Sequence, residues 1–137
     1  MIIDAKNIVL GRLASTVAKK ALLGNDVVVI NCEQAVISGS RENVLAKYRR
    51  KRKLGGPFQG PFIPRRPDMF VKRVIRGMLP YKQYKGRKAY ERIKCYVNQP
   101  EQFKEQKTET LEATADMLAT TRFVTIHDVC SHIGGVR

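Results

Sequence analysis

Acidic residues are scarce in this chain: 12 Asp and Glu stand against 26 Lys and Arg, for a formal net charge of +14. The shortage is local. Between Lys47 and Lys94 only Asp68 and Glu91 are acidic beside 17 basic residues, so this one segment carries +15. Concentrated like charge repels itself, and a polyanionic partner or the solvent must relieve it. The clustering therefore argues against a merely soluble basic protein, which would mix its signs over the surface, and for a nucleic-acid partner. Long apolar runs are missing too. None approaches the roughly 20 residues that a bilayer span needs, so no membrane partner is expected. The opening stretch MIIDAKNIVLGRL has no basic lead before an apolar core, and no secretory signal is expected there. Cys32, Cys95 and Cys130 are few, odd in number and far apart, which suits reduced thiols in a cytosolic compartment.

Catalytic fingerprints are also lacking. Gly11-Arg12 follows an expected strand and opens an expected helix, yet a P-loop's second glycine and lysine are absent, as is a GxGxxG dinucleotide motif. A tight turn into a packed helix is the favoured reading there, with a single RNA phosphate at the helix end left open. His127, Asp128, Cys130 and His132 cluster near the end, but a structural zinc needs four ligands at known spacing, and a fourth would have to come from Cys32 or Cys95. Capping or surface contacts account for the histidines and burial for the cysteines. No helix-turn-helix, zinc finger or RNP motif is visible, so nothing points to reading a DNA sequence.

What is present fits one ordinary domain over residues 1–137, with 43% hydrophobic residues to fill a core. Ile2–Ala5 predicts a strand. From Gly11, Leu13, Val17 and Ala21 recur every four residues with Ala14, Ala18 and Leu22 beside them, which predicts a helix with a wide buried stripe that stops at Gly24-Asn25. Val27–Ile30 is a continuous β-branched run, expected as a strand covered on both faces in a parallel sheet, and together these make a βαβ unit. A short strand is expected at Ala35–Ile37. Ser40 is an expected N-cap for a helix with Val44, Leu45 and Tyr48 on its apolar face, which runs into Arg49–Lys53 and projects from the body.

Gly55–Pro67, with a doubled Gly-Pro-Phe, excludes helix and inner strand and predicts a loop with little core of its own. Phe58, Phe62, Tyr81 and Tyr84, interleaved among the charges, are candidates to stack on unpaired bases, with anchoring of the loop to the body as the alternative for Phe58 and Phe62. Asp68 is expected to cap the next helix, with Phe70, Val71, Val74, Ile75 and Met78 inward, Arg76 outward, and an end at Leu79 before Pro80. A basic loop, Tyr81–Lys85, then leads into a short helix through Ala89, Tyr90 and Ile93, and a strand alternating through Cys95 and Val97. Beyond Pro100 the expectations are a weak helix over Thr108–Ala119, a strand at Phe123–Ile126 and a helix over Asp128–Ile133.

The candidate RNA contacts follow from the charge. They are Arg49, Arg50, Lys51, Arg52 and Lys53 at the projecting helix end, Arg65 and Arg66 after the loop, Lys72, Arg73 and Arg76 on the following helix, and Lys82, Lys85, Arg87 and Lys88 beyond Pro80. Arg and Lys supply phosphate contacts, and Arg also stacks on bases.

Arg76-Gly77-Met78-Leu79-Pro80, then Gly86-Arg87, then Ile93-Lys94-Cys95-Tyr96, carry a resemblance. With Asp4, Gly11-Arg12-Leu13-Ala14 and Val28-Val29-Ile30-Asn31 in the same order, they resemble the family of the thirteenth large-subunit ribosomal protein, over residues 1 to about 98. The shorter form, with the Gly55–Pro67 loop and an added C-terminal strand and helix, looks archaeal, while the divergent extension over about 99–137 matches the general family poorly. The resemblance implies a three-layer α/β/α sandwich around a mostly parallel sheet of about four strands. It implies a non-enzymatic protein of the cytoplasmic ribosome that binds large-subunit ribosomal RNA, helps assembly and touches neighbouring large-subunit ribosomal proteins, without cofactor or small-molecule substrate. The competing class is a small α/β enzyme acting on RNA or nucleotides. Its site would lie at the carboxyl ends of the strands, where Asp4, Asn31, Cys32, Glu33 and Asn98 offer no recognisable nucleophile and base.

Overall fold

The computed structural model describes residues 1–112 and 114–135. Strand β1 (Ile2–Asp4), helix α1 (Leu10–Leu22) and strand β2 (Val27–Ile30) form the expected βαβ unit. The strands run parallel, with Ile2 opposite Val28 and Asp4 opposite Ile30. Helix α1 starts one residue before Gly11 and buries Leu10, Leu13, Ala14, Val17, Ala18 and Ala21. Leu22, expected in the same stripe, is 43% exposed, because it sits in the last turn at the stripe's edge and reaches past the rim of the core. The helix ends where Gly24 N–H donates to the Ala21 carbonyl and Asn25 N–H to that of Lys20, bonds that satisfy the last free carbonyls.

Strand β3 (Val36–Ser38) leaves this sheet and precedes α2 (Arg41–Lys53). Ser40 caps α2, its hydroxyl accepting from Asn43 N–H at 3.4 Å. Val44 is buried and Leu45 and Tyr48 pack half-buried against the core. Helix α3 (Pro67–Gly77) carries proline in its first turn, where the missing N–H is not needed. Its N-cap is Arg66 rather than Asp68. Asp68 sits inside the first turn, favoured by the helix dipole, and accepts from Arg66 at 2.8 Å.

Phe70, Val71 and Ile75 are buried, but Met78 is not. Helix α3 stops at Gly77, so the 3.6-residue period that placed Met78 inward no longer applies at its position. Met78 is 43% exposed, and Leu79 turns into the core instead. Helix α4 (Tyr84–Glu91) takes Tyr84 and Lys85 out of the expected loop. Gly86 is required within it, since a Cβ there would lie 2.1 Å from the Pro80 carbonyl oxygen. Ile93, expected on that helix, opens strand β4 (Ile93–Cys95), which pairs parallel with β2.

The helix expected over Thr108–Ala119 does not form. Thr108–Glu109 is a strand, β5, parallel to β1. Thr114 bridges Ile8, and Ala115–Met117 makes one 3₁₀ turn; Ala113 lies outside the described residues. The open edge of β1 offers unpaired backbone groups, and a weak helical pattern yields to that pairing. The main sheet runs β4-β2-β1-β5, all parallel. Strand β6 (Phe123–Thr125) pairs antiparallel with β3. Helix α5 (Ile126–His132) begins at Ile126, two residues before the expected start, capped by the Thr125 hydroxyl on Asp128 N–H. Helices α1, α3 and α4 pack together, and α5 packs against α2 and α3. The result is an α/β/α sandwich whose core centres on Ile3, Leu13, Val17, Val29 and Ile75. Among the described residues no helix is long and apolar enough to cross a membrane.

Candidate nucleic-acid interface

The basic segment folds into the second half of α2, the loop after it, α3 and α4. Arg49, Arg50, Lys51, Arg52 and Lys53 stand exposed on α2, with Arg65 and Arg66 exposed just ahead of α3. Lys72 and Arg73 lie half-buried on α3, Arg76 is exposed at its end, and Lys82, Lys85, Arg87 and Lys88 are exposed around and along α4.

Charge is left over. The segment's two acids are already engaged, Asp68 by Arg66 and Glu91 by Lys88 at 3.1 Å. Of the acids elsewhere, Glu109, Asp128 and Glu101 pair with Lys20, Arg41 and Lys104, all outside the segment, and among the described residues none pairs with a cation of the segment. Among the described residues, Arg66 and Lys88 are therefore the two of its 17 cations with a carboxylate partner. A field of this kind attracts a polyanion over a distance set by the ionic strength.

Some of these cations also hold the fold. Arg49 Nε donates to His132 Nε2 at 3.2 Å, and an Arg52 guanidinium N–H donates to the Ile133 carbonyl at 2.7 Å. The end of α2, expected to project from the body, is thereby tied to α5. Arg73 donates to the Phe62 carbonyl. By contrast, the side chains of Arg50, Lys53, Arg65, Lys82, Lys85 and Arg87 make no hydrogen bond or ion pair to any described residue.

Tyrosines position four more. Lys51 lies 5.4 Å from the Tyr48 ring centre, Lys72 4.8 Å from Tyr90, Arg76 5.2 Å from Tyr81 and Lys88 5.8 Å from Tyr84. Each ring face attracts its cation and narrows where the charge points. Burial raises the pKa of the Tyr48 and Tyr90 hydroxyls, so both rings stay neutral. Sequence reasoning picked out the cations but not these pairings. Tyr48 with Lys51 and Tyr84 with Lys88 stand at helical i,i+3 and i,i+4 spacing and were legible; Tyr90 with Lys72 needs the fold. Arg92, in the segment but not among the candidates, points inward to the Ala21 carbonyl.

The two phenylalanines do not anchor the loop in the core: Phe58 is 94% and Phe62 65% exposed. Beside them a cleft of about 450 Å³ runs between α2 and α3, lined by Tyr48, Leu54 and Phe70, with Lys51 and Arg73 at its rim.

The carboxyl ends of the strands hold a polar cluster of another kind. Asp4 accepts from Asn31 Nδ2 at 2.9 Å and from Lys6 N–H at 3.0 Å, while Glu33 accepts from Asn98 N–H at 3.1 Å. Asn31 and Asn98 take left-handed backbone angles, φ 54° and 59°. Both carboxylates thus brace the turns after the strands. Cys32 is fully buried. Its interaction with Cys95 and its burial push its pKa far above the ordinary thiol range, so it supplies no thiolate. Cys130, buried and facing Asp68, is pushed up to about 12. Among the described residues no three His, Cys, Asp or Glu side chains gather where a metal could sit.

A family model described as Ribosomal protein L13 matches residues 1–102. Over 136 residues the chain is 46% identical to the large ribosomal subunit protein uL13 of Methanosarcina barkeri, covering 97% of this chain and 96% of that protein. It is 44% identical to uL13 of Halobacterium salinarum, covering 98% and 90% of the two chains. It is 41% identical to uL13 of Methanopyrus kandleri, covering 97% and 86%.

Proposed function

The chain belongs to the ribosomal protein L13 family, and from that premise we propose that its basic segment binds large-subunit ribosomal RNA and supports subunit assembly. The family is structural, so this is a non-enzymatic component of the large ribosomal subunit in the cytoplasm. The excess charge carries the proposal: two cations of 17 have carboxylate partners among the described residues. Arg50, Lys53, Arg65, Lys82, Lys85 and Arg87, whose side chains have no internal bonds there, bind phosphates. Lys51, Lys72, Arg76 and Lys88 do so from fixed positions over tyrosine rings. Arg49, Arg52, Arg66 and Arg73 serve twice, holding the fold and adding positive potential. Neighbouring large-subunit proteins meet the faces that RNA leaves bare.

Phosphate neutralisation releases counterions, so affinity must fall with salt. If roughly 6–10 phosphates are contacted, binding to a large-subunit ribosomal RNA transcript weakens by about 10³–10⁵ between 50 and 200 mM salt. A shallow dependence would mean that this segment is not the main contact.

A further inference from the structure

Phe58 is the barest large apolar side chain among the described residues, at 94% exposed. Leaving such a ring in water forgoes the free energy that burying it would give. It is also held in place. Gln59 and Gly60 N–H both donate to the Gly56 carbonyl, at 3.3 and 3.1 Å. Gly55 and Gly60 take positive φ of 81° and 62°. A Cβ on Gly55 would lie 2.1 Å from the Gly60 carbonyl oxygen, and one on Gly60 would lie 2.8 Å from the Phe62 ring. The two ends of the turn touch, therefore, and Phe62 backs it. Arg73 fastens the Phe62 carbonyl, and Ile63 packs against the core. A fixed tip loses little freedom on binding.

From Leu54 through Pro64 the chain carries no charge, yet Arg49–Lys53 and Arg65-Arg66 flank it. An aromatic face between cation clusters has the parts of a single-strand stacking platform, in which phosphates meet the charges and a base meets the ring. Tyr48, Tyr81, Tyr84 and Tyr90 each have a cation over the ring; Phe58 has none among the described residues. A protein partner would have to approach between two like-charged clusters, whereas RNA neutralises both and leaves a base between them. We propose that Phe58 stacks on an unpaired nucleobase of the RNA bound by the basic segment. This rests on the RNA-binding reading above and adds a contact that no phosphate makes.

The test uses the full chain and a large-subunit ribosomal RNA transcript, with affinity measured at several salt concentrations. Phe58→Ala should weaken binding by about 5- to 150-fold with the salt slope and melting temperature unchanged. Gly60→Ala, which disturbs the turn without altering charge, should reproduce the loss. Phe58→Trp should keep affinity, and its indole, in a chain with no other tryptophan, should be quenched by the RNA. Wild-type affinity in Phe58→Ala, with an unquenched indole in Phe58→Trp at saturating RNA, would overturn the inference while the salt slope upheld RNA binding. Phe58→Ala that binds RNA normally but fails to enter subunits would assign the ring to a protein neighbour and overturn it equally. If the wild-type chain showed no salt-dependent binding, both readings would fall together.

Discussion

Helices α1 and α2 each run 13 residues, and they are held for different reasons. Helix α1 buries six side chains in one stripe and packs along α3 and α4. Helix α2 buries only Val44 and ends in Arg50, Lys51, Arg52 and Lys53. Cations in a last turn suit the dipole, at about 0.3–1 kcal/mol each, but like charges one turn apart, such as Lys47 with Lys51 and Arg49 with Lys53, take back a similar amount. What keeps α2 in place is the Ser40 cap, the Tyr48–Phe70 contact at 5.2 Å between ring centres, and the ties from Arg49 and Arg52 to α5. The same secondary structure is scaffold where it is buried and, on the proposal above, contact surface where it is charged.

The largest effect that sharpens this contrast is on the scaffold side. Leu13→Ala, at a position with no exposure, should cost about 2–5 kcal/mol in denaturant unfolding. The folded variant should bind RNA like the wild type; a loss of affinity per folded molecule would blur the division. Next comes Ser40→Ala. Removing the cap should cost about 1 kcal/mol, and a negligible change would mean that the ties to α5 alone hold α2. The smallest effect is at the end of α3. Met78→Ala should change stability by no more than about 0.5 kcal/mol, as for an ordinary surface site. Arg76→Ala should be equally mild in melting while lowering the salt slope of RNA binding by about 1. A large drop in melting temperature with RNA affinity intact would make Arg76 a residue of the fold.

These contrasts also mark what the sequence made legible. Strand β2 and helix α1 were readable because burial on two faces writes a continuous apolar run into Val27–Ile30 and burial on one stripe writes a period into Leu13–Ala21. The basic segment was readable because charge adds along a chain whatever its fold. Strand β5 was not, since Thr108-Glu109 becomes a strand only beside the open edge of β1. Met78 was misplaced because nothing in its own spacing announces that the helix stops at Gly77. The double duty of Arg49 and Arg52 was hidden by distance, their partners lying 83 and 81 residues away. Charge thus marked the candidate interface, and only the fold separated the cations with internal duties from the rest.

The central claim is that Arg50, Lys51 and Lys53 at the end of α2 serve RNA rather than the fold. Its direct test is the triple variant Arg50→Gln, Lys51→Gln and Lys53→Gln, which spares the ties to α5. RNA affinity measured against salt should give a log–log slope shallower by about 2–3, with roughly 0.7–0.9 lost per phosphate contact, and the melting temperature should hold. An unchanged slope together with a lowered melting temperature would contradict the account.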